Sequence, residues 1–310
     1  MPASVPLLAV SALVSAAMLG SVMGIFSREL AANMSVVEQV CLRSIFAAVL
    51  VLVVCSRWIH LDRLARAPRR ELALVLARGM STFVIAVTLG TTAFVNGHYG
   101  AVAIVMATPM AALLSVVLLR EPARARELLW VALAFSGAAL TIYAGVAGGE
   151  TAAPRPHPQL ALGAALLGSL FMAFGIVGQR KQSGYFNAHE TAFVMLSVAA
   201  VVMTVVSGAF IAWRGSWPAI TGYDVWLSVV AALANIAWVF AANYGLARVR
   251  GLVANNVLAL QPLFATLVGV LVYGELISPL QAVGGALIIA AIVLIARERA
   301  GAAPAAATRA

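Results

Sequence analysis

The chain has 310 residues, of which 63% are hydrophobic and only 10% charged, against roughly 45–50% and about 25% in ordinary soluble domains. That balance excludes a soluble globular fold, which could not hide so much apolar surface. The formal charge of +9 invites a nucleic-acid partner, but the placement of the basic residues explains it without one.

The apolar residues come in blocks of about 20, the length that crosses ~30 Å of hydrocarbon as a helix. In chain order they predict ten spans, near 5–25, 38–56, 72–94, 99–119, 128–147, 159–179, 190–212, 225–246, 251–273 and 279–296. No basic stretch precedes the first, so it reads as a permanent helix and not as a signal peptide. With the N-terminus in the cytoplasm, fifteen of the twenty Lys and Arg residues fall in inside loops and the tail, among them Arg57, Arg63, Arg66, Arg69 and Arg70 after the second span. Three, Arg28, Arg155 and Arg214, fall outside, and Arg43 and Arg78 lie within spans. This bias predicts both termini inside, in a bacterial-type inner membrane. Cys41 and Cys55 share one helix, too far apart to bridge.

Gly100–Ala101–Val102, Thr108–Pro109–Met110 and Leu119–Arg120–Glu121 recur as Gly251–Leu252–Val253, Gln261–Pro262–Leu263 and Tyr273–Gly274–Glu275, and Glu38 recurs as Glu190. Two copies of an odd, five-helix unit must be inverted relative to each other, the usual plan of secondary transporters with a site near the midplane. The expected organisation is a first repeat over 1–147, an extracytoplasmic linker over 148–158, a second repeat over 159–299 and a cytoplasmic tail over 300–310.

The sequence of Ala247 to Glu275, with Gly251–Leu252–Val253–Ala254, Gln261–Pro262–Leu263–Phe264, Val268–Gly269–Val270 and Gly274–Glu275, then Gln281 to Gly285, together with Leu42–Arg43, resembles the EamA-type branch of the drug/metabolite transporter superfamily. Within it the chain is most similar to the YddG-type amino-acid exporters, although Met106–Ala107–Thr108–Pro109 departs from the commoner Glu-Pro or Gln-Pro version. The resemblance implies an all-α, ten-helix transporter that exports amino acids, aromatic or apolar ones included. It also implies a cavity lined by spans one, three, four, six, eight and nine. Other readings are an exporter of drugs or nucleosides, or a membrane-embedded enzyme. The first would want an acidic cavity, and the sequence supplies none; the second lacks any metal, phosphate-loop or nucleophile constellation. Neither catalytic residues nor a cofactor is expected; the partners expected are a small-molecule substrate and lipid, with a monomer sufficient.

Asn235, Trp238 and Ala242 share one face of span eight, and Asn255, Asn256 and Gln261–Pro262 follow in span nine, where the proline frees a carbonyl and bends the helix. These predict a polar cavity wall. Their first-half counterparts are Ser81, Thr82, His98, Tyr99 and Thr108–Pro109. His98 and Tyr99 stand at an outer turn, where a solvated His and an interfacial Tyr are the plainer reading. Met18, Met23, Phe171, Met172 and Phe174 offer soft apolar walls; Gly20 and Gly24 offer a helix-packing surface. Arg78 is either a clamp for a substrate carboxylate or a side chain that snorkels to the cytoplasmic phosphates, and snorkelling is the plainer reading for Arg43 too. The eleven acidic residues all lie in loops or at span ends, so facilitated diffusion is expected, with proton exchange through His98 as the competing idea.

Overall fold

The long apolar blocks form helices, because a backbone in hydrocarbon must satisfy its own hydrogen bonds. The structure, a computed structural model, describes residues 4–120, 125–147, 157–182, 184–248, 257–258 and 260–307. Among these every regular element is helical.

Helices α1 (Ser4–Leu30) and α2 (Val36–Cys55) are followed by a short α3 (Leu61–Ala65). Next, α4 (Arg69–Gly79) and α5 (Val87–Asn96) are joined through a π-helical segment, Met80–Ala86, into one continuous rod. Helices α6 (Tyr99–Met106) and α7 (Met110–Leu119) are separated at Ala107–Pro109, where proline cannot supply the backbone donor that continuity needs. The remainder are α8 (Ala125–Ala147), α9 (Pro158–Arg180), α10 (Ala188–Arg214), α11 (Gly222–Arg248), α12 (Gln261–Tyr273) and α13 (Pro279–Ala307). Seven of these segments, counting Arg69–Asn96 as one, are long and apolar enough to cross a membrane, and two shorter apolar helices are Gln261–Tyr273 and Pro279–Leu294. The protein is a multi-pass membrane protein, and the outward faces fit that environment: Val53, Val201, Val205 and Leu271 are exposed.

Packing between the two halves follows one rule. Helix α2 lies on α10, α6 on α12 and α8 on α13, each against its counterpart, while α1 lies on α11 and the α4–α5 rod on α9, two pairings that interchange when the halves are swapped. Helices α8 and α13 approach closely at Gly284, where an added methyl would come within 2.6 Å of the Gly137 carbonyl oxygen. Local signals repeat as well: Ser35 and Glu38 form a capping box that opens α2, and Asn187 and Glu190 form another that opens α10. The recurrence of Glu38 as Glu190 is thus a recurrence of helix starts.

Both ends of the bundle are tied. At one, the buried Arg28 and Glu275 form a 2.8 Å ion pair. Gly274, at φ 62, ends α12 in the left-handed conformation that glycine adopts freely. The Glu275 carboxylate then accepts the Tyr99 backbone N–H at 2.6 Å. Arg28 also donates to the Phe94 carbonyl at 2.9 Å and to the Gly97 carbonyl at 2.5 Å, and its guanidinium lies over the Tyr99 and Tyr273 rings. At the opposite end, Glu190 is fully buried and takes the His60 backbone N–H at 3.3 Å and the Arg63 guanidinium at 3.5 Å, while the Asn187 side chain donates to the Trp58 carbonyl at 2.8 Å.

Candidate functional site

Between these ties lies a cavity of about 880 Å³, open solvent at its mouth included. Its walls come from both halves: Gly20, Met23 and Ser27 of α1, Val40, Arg43 and Ser44 of α2, and Thr82 to Phe94 along the α4–α5 rod contribute from the first, with Met106 of α6. Met172 of α9, Ala231, Asn235 and Trp238 of α11, and Gln261 of α12 contribute from the second. The π-helical segment supplies Thr82, Phe83 and Ala86; such widened turns recur at functional sites because they re-aim side chains without ending the helix.

Four expected site residues meet here: Thr82, Asn235, Trp238 and Gln261. The helical face of Asn235 and Trp238 is therefore a cavity wall. Gln261 stands against Gly20, where an added methyl would lie 2.8 Å from the amide. Gly20 thus makes room for a cavity-lining residue, which a reading as a packing stripe does not contain. Gly24 does the same for a different group, since a methyl there would lie 2.5 Å from the Tyr99 ring.

Other residues sit elsewhere. Arg78 is absent from the cavity wall and does not reach out to the membrane surface: it is buried, donates to the Gly175 carbonyl at 3.1 Å and to Gln179 at 3.3 Å, and also to Gln182, tying α4 to α9. Tyr99 is no interfacial residue; it is fully buried, stacks on Tyr273 and donates its hydroxyl to the Ser21 carbonyl. His98 lines a second, smaller hollow with Thr266, Glu275 and Gln281, away from the main cavity. Phe171 packs against Phe174 and gives its carbonyl to the Ser81 hydroxyl, leaving its neighbour Met172 on the wall. Met23 lines the cavity, whereas Met18 and Phe174 are exposed. Asn255 and Asn256 lie outside the described residues.

The second span also corrects the expected lining, since α2 brings Arg43 and Ser44 into the wall. Arg43 does not snorkel. Its side chain is 9% exposed, donates to the Thr91 hydroxyl at 2.7 Å and lies 3.5 Å from the Ser27 hydroxyl. The signal for it was present, an Arg in mid-helix next to Leu42, but its direction around the helix depends on which neighbours α2 meets.

A multi-helix membrane bundle with a cavity shared between two similar halves defines a class, the small-molecule transporters with internal repeats. The chain matches the EamA-like transporter family over residues 7–143 and 159–297, and it belongs to that family. No curated protein sequence matches it. Among solved structures, one described as "Crystal structure of protein" has a TM-score of 0.61 at 20% identity, over 94% of this chain and 98% of that one. The similarity is one of fold.

Proposed function

We propose that the chain is a secondary transporter that exports small amphipathic metabolites, amino acids with aromatic or apolar side chains foremost, across a bacterial-type inner membrane. The observation that carries this reading is the cavity itself. It is walled by both halves, and its lining combines soft apolar side chains (Met23, Phe83, Phe94, Met106, Met172) with the polar Asn235, Gln261, Thr82 and Trp238. An apolar wall holds a variable side chain, and a few fixed polar groups hold the invariant part of a substrate. The likeness to YddG-type amino-acid exporters points the same way.

Ten crossings follow if the interrupted α6–α7, α12 and the apolar part of α13 join the seven long segments. The repeats are then inverted, and the Arg-rich stretch from Arg57 to Arg70 lies in the cytoplasm. The Arg28–Glu275 tie is then the outer seal and the Glu190 tie the inner one, and alternating access means releasing one while the other holds. No Asp or Glu lines the cavity among the described residues, which supports a carrier driven by the substrate's own gradient. His98, in a different hollow, gives proton exchange little to act on.

The test is counterflow of labelled phenylalanine and other amino acids in proteoliposomes with neither a pH gradient nor a membrane potential imposed. Exchange down the substrate gradient is expected. Movement of organic cations with no movement of amino acids would refute the substrate class. Accumulation that requires a pH jump and is lost in His98→Ala would refute the facilitative mechanism.

A further inference from the structure

The cations buried among the described residues are not equally matched. Arg28 has Glu275; Arg78 has three oxygens of α9 and the residues just after it. Arg43 has only the neutral hydroxyls of Thr91 and Ser27, although it is buried to nearly the same degree as Arg78. A guanidinium offers five donors and a charge that does not titrate away. Held in a low-dielectric wall without an anion, it carries a desolvation cost that two hydroxyls do not offset. Trp238 lines the same cavity, and its indole Nε1 is buried with no hydrogen-bond partner among the described residues. Among the described residues of the lining there is no carboxylate, and they hold one full positive charge and a surplus of donors.

Building on the transporter reading, we infer that Arg43 and Trp238 form an anion-accepting subsite for the carboxylate of a monocarboxylate substrate with an apolar body. A single cation matches a single negative charge, so a phosphate dianion would bring an uncompensated charge into the cavity. The carboxylate takes two guanidinium donors in the forked geometry that Arg provides and accepts the indole N–H, while Phe83, Phe94 and Met172 surround the apolar body. Asn235 and Gln261 supply neutral oxygens for an ammonium group. Recognition therefore depends on the carboxylate and does not require the ammonium.

Three probes with the same ring separate these demands: phenylalanine, 3-phenylpropanoate, which lacks the ammonium, and phenethylamine, which lacks the carboxylate. Equilibrium binding of each labelled probe to the purified full-length protein in detergent reads the site independently of transport. We expect 3-phenylpropanoate to bind, phenethylamine not to bind, and Arg43→Gln to weaken 3-phenylpropanoate at least ~100-fold, with Arg43→Lys intermediate because it keeps the charge and loses the fork. Trp238→Phe keeps an aromatic ring of smaller size and removes the donor, and should weaken the same probe about tenfold, the scale of one hydrogen bond to a charged group. It carries the test if Arg43→Gln does not fold. Binding of phenethylamine as tight as that of 3-phenylpropanoate, unchanged binding of 3-phenylpropanoate in the folded variants, or no binding of 3-phenylpropanoate to the wild-type protein would each overturn the inference. Amino-acid counterflow that persists in any of these cases leaves the transporter reading standing, and its loss in wild type removes that reading separately.

Discussion

Replacing Glu275 with Gln keeps the shape of the side chain at the proposed outer seal and removes its charge. Glu275 joins Arg28 to the Tyr99 backbone at the point where α1, α6 and α12 converge, so the change unlocks one end of the bundle. Removing one partner of a buried ion pair costs about 3–5 kcal/mol. Arg28 keeps its bonds to the Phe94 and Gly97 carbonyls and its place over the Tyr273 ring, and such contacts offset about 1–2 kcal/mol of that. At mid-range the remaining ~2.5 kcal/mol shifts the equilibrium from sealed to open about 70-fold. In a protein with Cys41 and Cys55 replaced by Ser, Met23→Cys places a thiol on the cavity wall. Its labelling by an impermeant maleimide added outside should accelerate at least tenfold when Glu275→Gln is introduced. The double variant Arg28→Gln/Glu275→Gln, with no stranded charge, should regain thermal stability but keep the fast labelling. Unchanged labelling in a folded Glu275→Gln protein would refute the assignment of this ion pair as a seal.

Arg78→Gln should lower the melting temperature of the detergent-solubilised protein, because it removes the tie from α4 to α9; its affinity for 3-phenylpropanoate should stay within twofold, and a loss comparable to that of Arg43→Gln would restore Arg78 as the clamp. Trp238→Ala and Gln261→Ala should each reduce counterflow about tenfold or more while the protein remains folded, as expected for the loss of a buried polar contact to substrate; wild-type rates in both would place the substrate elsewhere. A topology reporter fused after Gly149 should face the outside, and a cytoplasmic signal would overturn the ten crossings and the inversion together.

The amino-acid sequence determined the class of this protein, because the length and purity of the apolar blocks are set by the thickness of hydrocarbon and need no partner to be read. It determined the duplication too, since capping boxes at Ser35–Glu38 and Asn187–Glu190 are local chemistry. The Asn235–Trp238 wall was legible because residues three apart share a helix face. What that periodicity lacks is the identity of the helix each face meets. Arg43 and Arg78 are alike as sequence, each a costly cation inside a span, and only tertiary packing distinguishes them: α4 meets an oxygen-rich stretch of α9, so Arg78 is satisfied, while α2 meets hydroxyls, so Arg43 is left with charge to spare. Tyr99 was decided in the same way, since a tyrosine at a turn goes to the interface unless a glycine opposite, here Gly24, opens a place for its ring inside. Contacts between segments remote in sequence carry no local signature, and in this protein they alone determine which buried polar groups are structural ties and which face the cavity.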